Sequence, residues 1–185
     1  MPFIPLSIEG AWVYEPQILS DSRGDFREAF KLSTMAAEIG RSFQVKQSNL
    51  SRSHAGVLRG IHWADAPPGQ AKYVSCVAGR IIDFVVDLRK ESETFGAWDL
   101  VELTPENGKC IFISEGLGHA FLSLENDSLV SYLCSEEYNP SREHTINPLG
   151  AGLSIPFDRY FEGELVLSVR DSSAPSFEAR FLGLA

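Results

Sequence analysis

The sequence predicts an all-β protein with a few short helices. Its apolar residues fall mostly in short segments separated by glycine, asparagine or aspartate, and only one segment has the composition of a helix. The 185 residues, 44% of them hydrophobic, are enough to bury the core of one domain. We therefore expect a single domain over residues 1–185, built as a β-barrel or a sandwich.

The helix is expected in LSTMAAEIG, residues 32–40. Ser33 can cap its first turn, because a serine hydroxyl can accept a hydrogen bond from a free backbone N–H. Met35 and the alanines that follow favour helix, and Gly40 can end it in the left-handed conformation.

The strands are expected in apolar segments that turn residues divide. Turns are expected at Ala78-Gly79, at Gly116 and Gly118, and at residues 125–127. In chain order the strand segments are FQVKQSNLS, GVLRGIHW, KYVSCV, RIIDFVVDL, KCIFIS, HAFLSL and LVSYLC. Many short strands at such spacing are typical of a barrel or a sandwich.

Charge and composition exclude several classes of partner. A net charge of −9 argues against binding to a nucleic-acid duplex, which requires a basic surface. No segment is apolar for the eighteen or so residues that a membrane span needs, and the N-terminus has no signal-peptide pattern. Cys76, Cys110 and Cys134 have no metal-like spacing, so we expect buried free thiols and a cytoplasmic protein.

Two segments are distantly similar to each other. GVLRGIH ends at His62, and GKCIFISEGLGHAFLS contains His119. They resemble the two motifs of the cupin superfamily, whose fold is a double-stranded β-helix related to the jelly roll and whose histidines and glutamate hold a metal. Here Ala64 replaces the second histidine of the first motif, and Gly69 lies where its glutamate would be. Two histidines are a poor site for a divalent ion, so we expect no metal and no other cofactor.

Without a metal, other polar residues must supply the chemistry. RGIHW places Arg59 and His62 three residues apart, so a regular strand would direct them to opposite sides. A bulge or a local twist would be needed to bring both side chains into one cleft.

The order of the polar motifs along the chain indicates a family more specifically than any single motif does. DSRGDF, QSNLS, GVLRGIH, QAKYV, VVDLRKESETFG, SEGLGHAF, EEYNPSREHTI and LSVRD occur in this order over roughly residues 8–180. Together they resemble the dTDP-4-dehydrorhamnose 3,5-epimerases, cupin-fold enzymes of deoxysugar biosynthesis. The resemblance implies a dTDP-4-keto-6-deoxyhexose substrate, a homodimer, and inversion of carbon 3, carbon 5 or both through an enolate.

The resemblance also implies roles for individual residues. His62 matches the base, which suits an imidazole because it can take up a proton near neutral pH. Asp171 matches the carboxylate that orients this imidazole, and Lys72 matches the cation beside the keto oxygen. Tyr132 matches the acid that protonates the opposite face of the sugar. The positions that match substrate contacts are Arg23, Phe26, Glu28, Gln47, Asn49, Arg59, His119, Tyr138, Glu143 and Arg170.

Three questions stay open at the level of sequence. Relatives with the same His, Asp and Tyr act at one carbon only, in pathways to antibiotic sugars. The sequence therefore leaves open whether one carbon or both are inverted, and whether the end product is an antibiotic sugar or dTDP-rhamnose. A metal-dependent cupin enzyme is an alternative that would need further ligands. A non-catalytic cupin that binds a nucleotide sugar is another, but the presence of His62, Asp171 and Tyr132 favours an enzyme.

Overall fold

Antiparallel strands make up most of the protein. The computed structural model describes residues 3–184. Its strands are β1 Phe3–Pro5, β2 Ala11–Tyr14, β3 Leu19–Asp21, β4 Gly24–Phe26, β5 Gln47–Ser53, β6 Leu58–Ala64, β7 Lys72–Ala78, β8 Ile81–Asp87, β9 Trp98–Leu103, β10 Cys110–Ile113, β11 Leu117–Ser123, β12 Ser128–Cys134 and β13 Glu143–Thr145. The helices are α1 Leu32–Ile39 and α2 Val169–Ser172, with a 3₁₀ turn at Phe157–Arg159 and a π turn at Glu178–Leu182.

The strands form two large sheets and one hairpin. The first sheet has six strands in the order β1-β2-β10-β7-β12-β5, and the second has five in the order β13-β6-β11-β8-β9. β3 and β4 pair only with each other. Within each sheet the neighbouring strands are antiparallel. The prediction of an all-β jelly-roll type of fold is confirmed.

The main core lies between the two large sheets. Val74 and Ile111 from the six-stranded sheet pack in one buried cluster with Val85 and Phe121 from the five-stranded sheet. Burying such a cluster is the main favourable contribution to folding, at about 25 cal/mol per Å² of apolar surface.

Both outer faces are also covered over part of their area. Met35 of α1 packs with Phe43, Tyr73 and Phe112 against the six-stranded sheet. On the other sheet, a buried cluster joins Phe84 with the C-terminal residues Ile155, Phe157 and Phe177. A sheet covered on both faces has apolar residues at successive positions, which explains why every residue of β8 and β11 is buried.

The helix differs from the prediction at its start. α1 begins at Leu32 with Lys31 in the N-cap position, and no side chain caps it. The expected cap by Ser33 is therefore wrong, since Ser33 already lies inside the first turn. Gly40 ends the helix in the left-handed conformation, with φ of 65°, as predicted.

The central strands lie where the apolar segments predicted them, whereas most peripheral strands had no predicted counterpart. FQVKQSNLS becomes a strand only from Gln47 onwards, because Phe43 packs beneath α1 instead. Strands β1 to β4, β9 and β13 were not predicted; they are short or lie at sheet edges. Among residues 3–184, no helix combines the length and the apolar character that crossing a membrane requires.

Candidate active site

A cleft with walls from both large sheets contains most of the residues predicted to be functional. It consists of two adjoining cavities of about 420 and 360 Å³. Both are lined by His62, Lys72, Tyr132 and Arg170. His62 belongs to the five-stranded sheet, whereas Lys72 and Tyr132 belong to the six-stranded sheet. The two groups of side chains therefore enter the cleft from different sheets.

His62 and Asp171 form a hydrogen-bonded pair at one wall of this cleft. The Nε2 atom of His62 lies 2.7 Å from Oδ1 of Asp171. An ionised carboxylate can only accept hydrogen bonds, so Nε2 carries the proton and donates it. Nδ1 of His62 is then the ring nitrogen with a free lone pair, as a general base requires.

Asp171 is held in place by the short helix on which it lies. Ser168 is the N-cap of α2, and its Oγ accepts a hydrogen bond of 3.0 Å from the backbone N–H of Asp171. Asp171 is only 3% exposed. Burial by itself would raise its pKa, but hydrogen bonds from His62, Ser168 and the backbone N–H of Gly60 outweigh burial and lower it. The carboxyl is therefore ionised at neutral pH.

A β-bulge brings Arg59 and His62 to the same cleft. His119 pairs with His62, and Phe121 pairs with Arg59, so three steps along β6 face two steps along β11. Gly60 adopts a φ of 113° in this bulge, and a Cβ there would lie 2.5 Å from the carbonyl oxygen of His119. Glycine is thus required at the bulge, which resolves the geometric conflict expected for a regular strand.

Lys72 and Tyr132 face the cleft from neighbouring strands, β7 and β12. Lys72 is 7% exposed, and burial lowers its pKa while the charges of Glu143, Cys134 and Asp83 oppose this. Burial raises the pKa of Tyr132, so its phenol is protonated at neutral pH. The Tyr132 hydroxyl makes no hydrogen bond to any of residues 3–184. The Tyr132 hydroxyl is therefore protonated and has no hydrogen-bond acceptor within the described chain.

Two further cations line the cleft. Arg59 of β6 is held by the end of β5, since Nε donates to Oγ of Ser53 at 3.1 Å and Nη2 donates to the carbonyl of Arg52 at 3.2 Å. Arg170 lies at the cleft wall with Nη2 3.5 Å from the carbonyl oxygen of Glu143. Planar guanidinium groups placed in this way suit a ligand with several anionic oxygens.

A chain of hydrogen bonds orders the polar end of the cleft. Nε2 of Gln47 donates to Oδ1 of Asn49 at 2.8 Å, and the backbone N–H of Tyr138 donates to Oε1 of Gln47 at 2.7 Å. These residues and Glu143 line the smaller cavity, whereas His119 lines the larger one. The exposed ring of Tyr138 stands at this end, where a flat ligand could stack on it.

Three of the predicted substrate contacts lie elsewhere in the chain. Arg23 and Phe26 belong to the β3–β4 hairpin and line a separate shallow cavity. Glu28 lies with Phe26 in a neighbouring cavity beside Tyr14. Within one chain, these side chains do not line the cleft that contains His62.

Several residues at the site were not predicted from the sequence. Val57, Phe121, Leu167 and Ser168 line the larger cavity, and Asp83 accepts a hydrogen bond from His119. Asp83 had a recognisable signal, because it is a carboxylate in the middle of the apolar segment RIIDFVVDL. The apolar wall residues had none, since apolar residues in strands are usually core residues.

The part of the chain that the structure describes contains no cluster of three or more His, Cys, Asp or Glu side chains arranged to hold a metal ion. Nε2 of His62 and Nε2 of His119 are each hydrogen-bonded to a carboxylate, that of Asp171 and that of Asp83, respectively.

Comparison with known proteins identifies the family. The model of the dTDP-4-dehydrorhamnose 3,5-epimerase family matches residues 5–179. The dTDP-4-dehydrorhamnose 3,5-epimerase of Mycolicibacterium smegmatis is 50% identical over 180 residues, which are 97% of this chain and 88% of that protein.

Two solved structures agree with this assignment. The rmlC epimerase of Mycobacterium tuberculosis superposes with a TM-score of 0.94 at 48% identity, covering 99% of this chain and 92% of that one. ChmJ, a 3'-monoepimerase from Streptomyces bikiniensis solved in complex with dTDP-quinovose, has a TM-score of 0.91 at 48% identity, covering 97% and 90%. With a family model that matches nearly the whole chain and relatives of this identity, the chain belongs to the dTDP-4-dehydrorhamnose 3,5-epimerase family.

Proposed function

We propose that the protein is an epimerase that inverts carbon 3, carbon 5 or both of a dTDP-4-keto-6-deoxyhexose. The observation that carries the proposal is the arrangement of proton-transfer groups in one cleft. His62, paired with Asp171 of α2, lies on the five-stranded sheet, and Lys72 and Tyr132 lie on the six-stranded sheet. A sugar ring bound between the sheets has a base on one face and an acid on the opposite face.

The reaction follows from the chemistry of these groups. Nδ1 of His62 removes the proton next to the ketone, and Asp171 stabilises the imidazolium that forms. The ammonium of Lys72 stabilises the negative charge that develops on the keto oxygen. Tyr132 then donates its hydroxyl proton to the opposite face of the same carbon, which inverts the centre. Only protons move, so the reaction needs no redox cofactor.

The rest of the substrate has complementary groups in the cleft. Arg59 and Arg170 are suited to the diphosphate, because guanidinium groups bind phosphate oxygens through paired donors. Tyr138 offers a ring for the thymine, and stacking of this kind contributes roughly 1–3 kcal/mol per base. ChmJ, the related 3'-monoepimerase, was solved with dTDP-quinovose bound, which supports a dTDP-sugar as the ligand class.

The test is proton NMR in deuterated water with dTDP-4-keto-6-deoxyglucose. We expect the signal of the proton on carbon 3, carbon 5 or both to disappear, and signals of an inverted product to appear. The carbon that exchanges defines the regiochemistry. Exchange no faster than with heat-inactivated protein would refute the proposed function.

We further propose a homodimer in which the β3–β4 hairpin reaches the partner's cleft. The side chain of Arg23 is 87% exposed, and Phe26 is 65% exposed, although large apolar side chains are usually buried. β5 also forms an edge of the six-stranded sheet and exposes Leu50. Exposed apolar residues on a hairpin and an unpaired sheet edge are features that a second copy can cover.

Mixing two variants tests this arrangement. We expect Phe26→Ala to raise KM strongly while its own His62 stays intact, and His62→Ala to lack chemistry while its Phe26 stays intact. If the hairpin acts across the dimer, subunit exchange restores a normal KM in roughly a quarter of the sites, because half the dimers are hybrids with one complete site. No restoration after verified exchange would mean that the hairpin serves its own chain or no site at all.

We also propose that the protein is located in the cytoplasm. Cys76, Cys110 and Cys134 are buried and free among the described residues, as is typical of proteins in a reducing compartment.

A further inference from the structure

Tyr138 lies on the loop between β12 and β13, residues 135–142. Its ring is 53% exposed and borders the smaller cavity of the active-site cleft. It also borders a separate cavity of about 430 Å³, which His62 does not line. A ring with open space in two cavities is not fixed by packing, so its position depends on what holds the backbone of Tyr138.

The loop is held differently on the two sides of Tyr138. Before it, Nε2 of Gln70 donates to the carbonyl of Glu136 at 3.0 Å. After it, the loop closes on itself, since the carbonyl of Asn139 accepts from two backbone N–H groups that follow, at 3.0 and 3.1 Å. Tyr138 itself is held by Gln47 of β5, whose Oε1 accepts a hydrogen bond of 2.7 Å from the backbone N–H of Tyr138. Within residues 3–184, this is the one hydrogen bond between Tyr138 and a β-strand.

The orientation of the Gln47 amide follows from this bond. A backbone N–H can only donate, so the oxygen of Gln47 faces Tyr138 and its NH₂ group faces Asn49. Nε2 of Gln47 accordingly donates to Oδ1 of Asn49 at 2.8 Å. The Asn49 amide then presents its own NH₂ group to Sγ of Cys134, at 3.6 Å. Both ends of the Gln47 amide are thus bonded to the protein, which restricts its rotation.

The register of β5 places both amides on the side of the cleft. Gln47 and Asn49 are two residues apart, so their side chains point to the same face of the sheet. Gln47 lies opposite Cys134, and Asn49 lies opposite Tyr132. Residues directly opposite each other in an antiparallel pair share a face, and Tyr132 lines the cleft. Gln47 thereby connects a loop residue to a paired strand, which is the more rigid element.

We propose that Gln47 is a positioning residue, which holds the ring of Tyr138 at the polar end of the cleft, and that Asn49 keeps the Gln47 amide in the required orientation. The family resemblance implies a substrate contact for Gln47, whereas this role is exerted through Tyr138. The inference rests on the proposed function, because the ring of Tyr138 is proposed to stack on the thymine of the substrate.

The first test is solvent exchange of the Tyr138 amide, measured in the ligand-free protein by magnetisation transfer from water. The sequence contains five tyrosines, so ¹⁵N-tyrosine labelling gives five signals, and Tyr138→Phe assigns the signal of Tyr138. Gln47→Met keeps the length of the side chain and removes the acceptor. We expect the exchange to become roughly fivefold faster, the factor that corresponds to the loss of one hydrogen bond.

Two comparisons make this result specific. Gln47→Glu keeps an acceptor for the Tyr138 N–H, so its exchange rate should stay close to that of the unmodified protein. Asn126→Leu is the matched control, since Oδ1 of Asn126 accepts the backbone N–H of Ala55 at 3.0 Å in another exposed loop. This variant should leave the Tyr138 signal unchanged. If the Tyr138 amide of Gln47→Met exchanges no faster than in the unmodified protein, Gln47 does not hold Tyr138 and the proposal is wrong.

The second test is a double-mutant cycle on the affinity for thymidine diphosphate, measured by calorimetry. Tyr138→Ala should weaken binding by roughly 5- to 150-fold, the loss of one stacked base, and Gln47→Met should weaken it by a smaller factor. If Gln47 acts through Tyr138, the double variant binds as weakly as Tyr138→Ala and no more weakly. Factors that multiply would show that Gln47 contacts the ligand by itself. Normal affinity of Tyr138→Ala would show that the ring is not a ligand contact, and either outcome overturns the proposal.

Neither test needs turnover. A protein that passes both tests but has no epimerase activity would refute the proposed function and leave the role of Gln47 intact, so the two failures are distinguishable.

Discussion

His62→Ala should bind thymidine diphosphate with nearly normal affinity and lose solvent exchange at both carbons of the substrate. The base is removed, whereas the groups proposed to hold the diphosphate and the thymine, Arg59, Arg170 and Tyr138, remain in place. A general base typically contributes about 10²–10⁴ in rate, so turnover should fall by at least that factor. Calorimetry measures binding, and proton NMR in deuterated water measures exchange.

The control for this variant is His54→Ala, since His54 is exposed and does not line the cleft. Its exchange rate should equal that of the unmodified protein. Near-normal turnover by His62→Ala would exclude His62 as the base. A melting curve on the same sample is needed as well, because Asp171 loses one of its hydrogen bonds when the imidazole is removed.

Tyr132→Phe should retain exchange of the substrate proton with solvent while net inversion falls by about 10²–10⁴. His62 can still remove a proton and return it to the same face, but the opposite face has lost its acid. Folding stability should change little, because the Tyr132 hydroxyl makes no hydrogen bond within the described chain and the ring volume is kept. Exchange, inversion and melting temperature can be measured on one sample.

Tyr73→Phe is a matched control with the opposite pattern. The Tyr73 hydroxyl donates to the carbonyl of Ala29 at 2.7 Å on the outer side of the sheet. Its removal should cost about 1 kcal/mol of stability and leave inversion intact. Full inversion by Tyr132→Phe would move the acid role elsewhere, and Tyr138 would be the next residue to test.

Apolar patterning predicted the central strands well because these strands are buried over most of their length. The segment RIIDFVVDL became β8, in which every residue is buried. The edge strand β9 and the short strands β1, β3 and β4 have too few buried residues for a distinct pattern, and β2, although mostly buried, is only four residues long. Their pairing depends on neighbours far away in the chain, as when β2 joins β10.

The polar motifs predicted which residue types form the site, but not how they meet. Arg59 and His62 share a cleft only because Gly60 lies in a bulge opposite β11, a contact between residues about sixty positions apart. The same motifs also included Arg23, Phe26 and Glu28, which lie away from that cleft within one chain. A linear motif carries no information about the subunit in which a side chain acts.

The amino-acid sequence was enough to predict the all-β class, because that follows from local apolar patterning and turn residues. It was also enough to predict the family and the base, cation and acid candidates, because eight polar motifs in order resemble one family and the residues at the matching positions carry suitable side-chain chemistry. The tertiary structure decided that His62 and Tyr132 face one cleft from different sheets, that Ser168 and Gly60 hold Asp171 against His62, and that Asp83 lies behind the wall next to His119. Each of these facts depends on strand order and register, which are set by packing between distant segments and leave no trace in the spacing of the motifs.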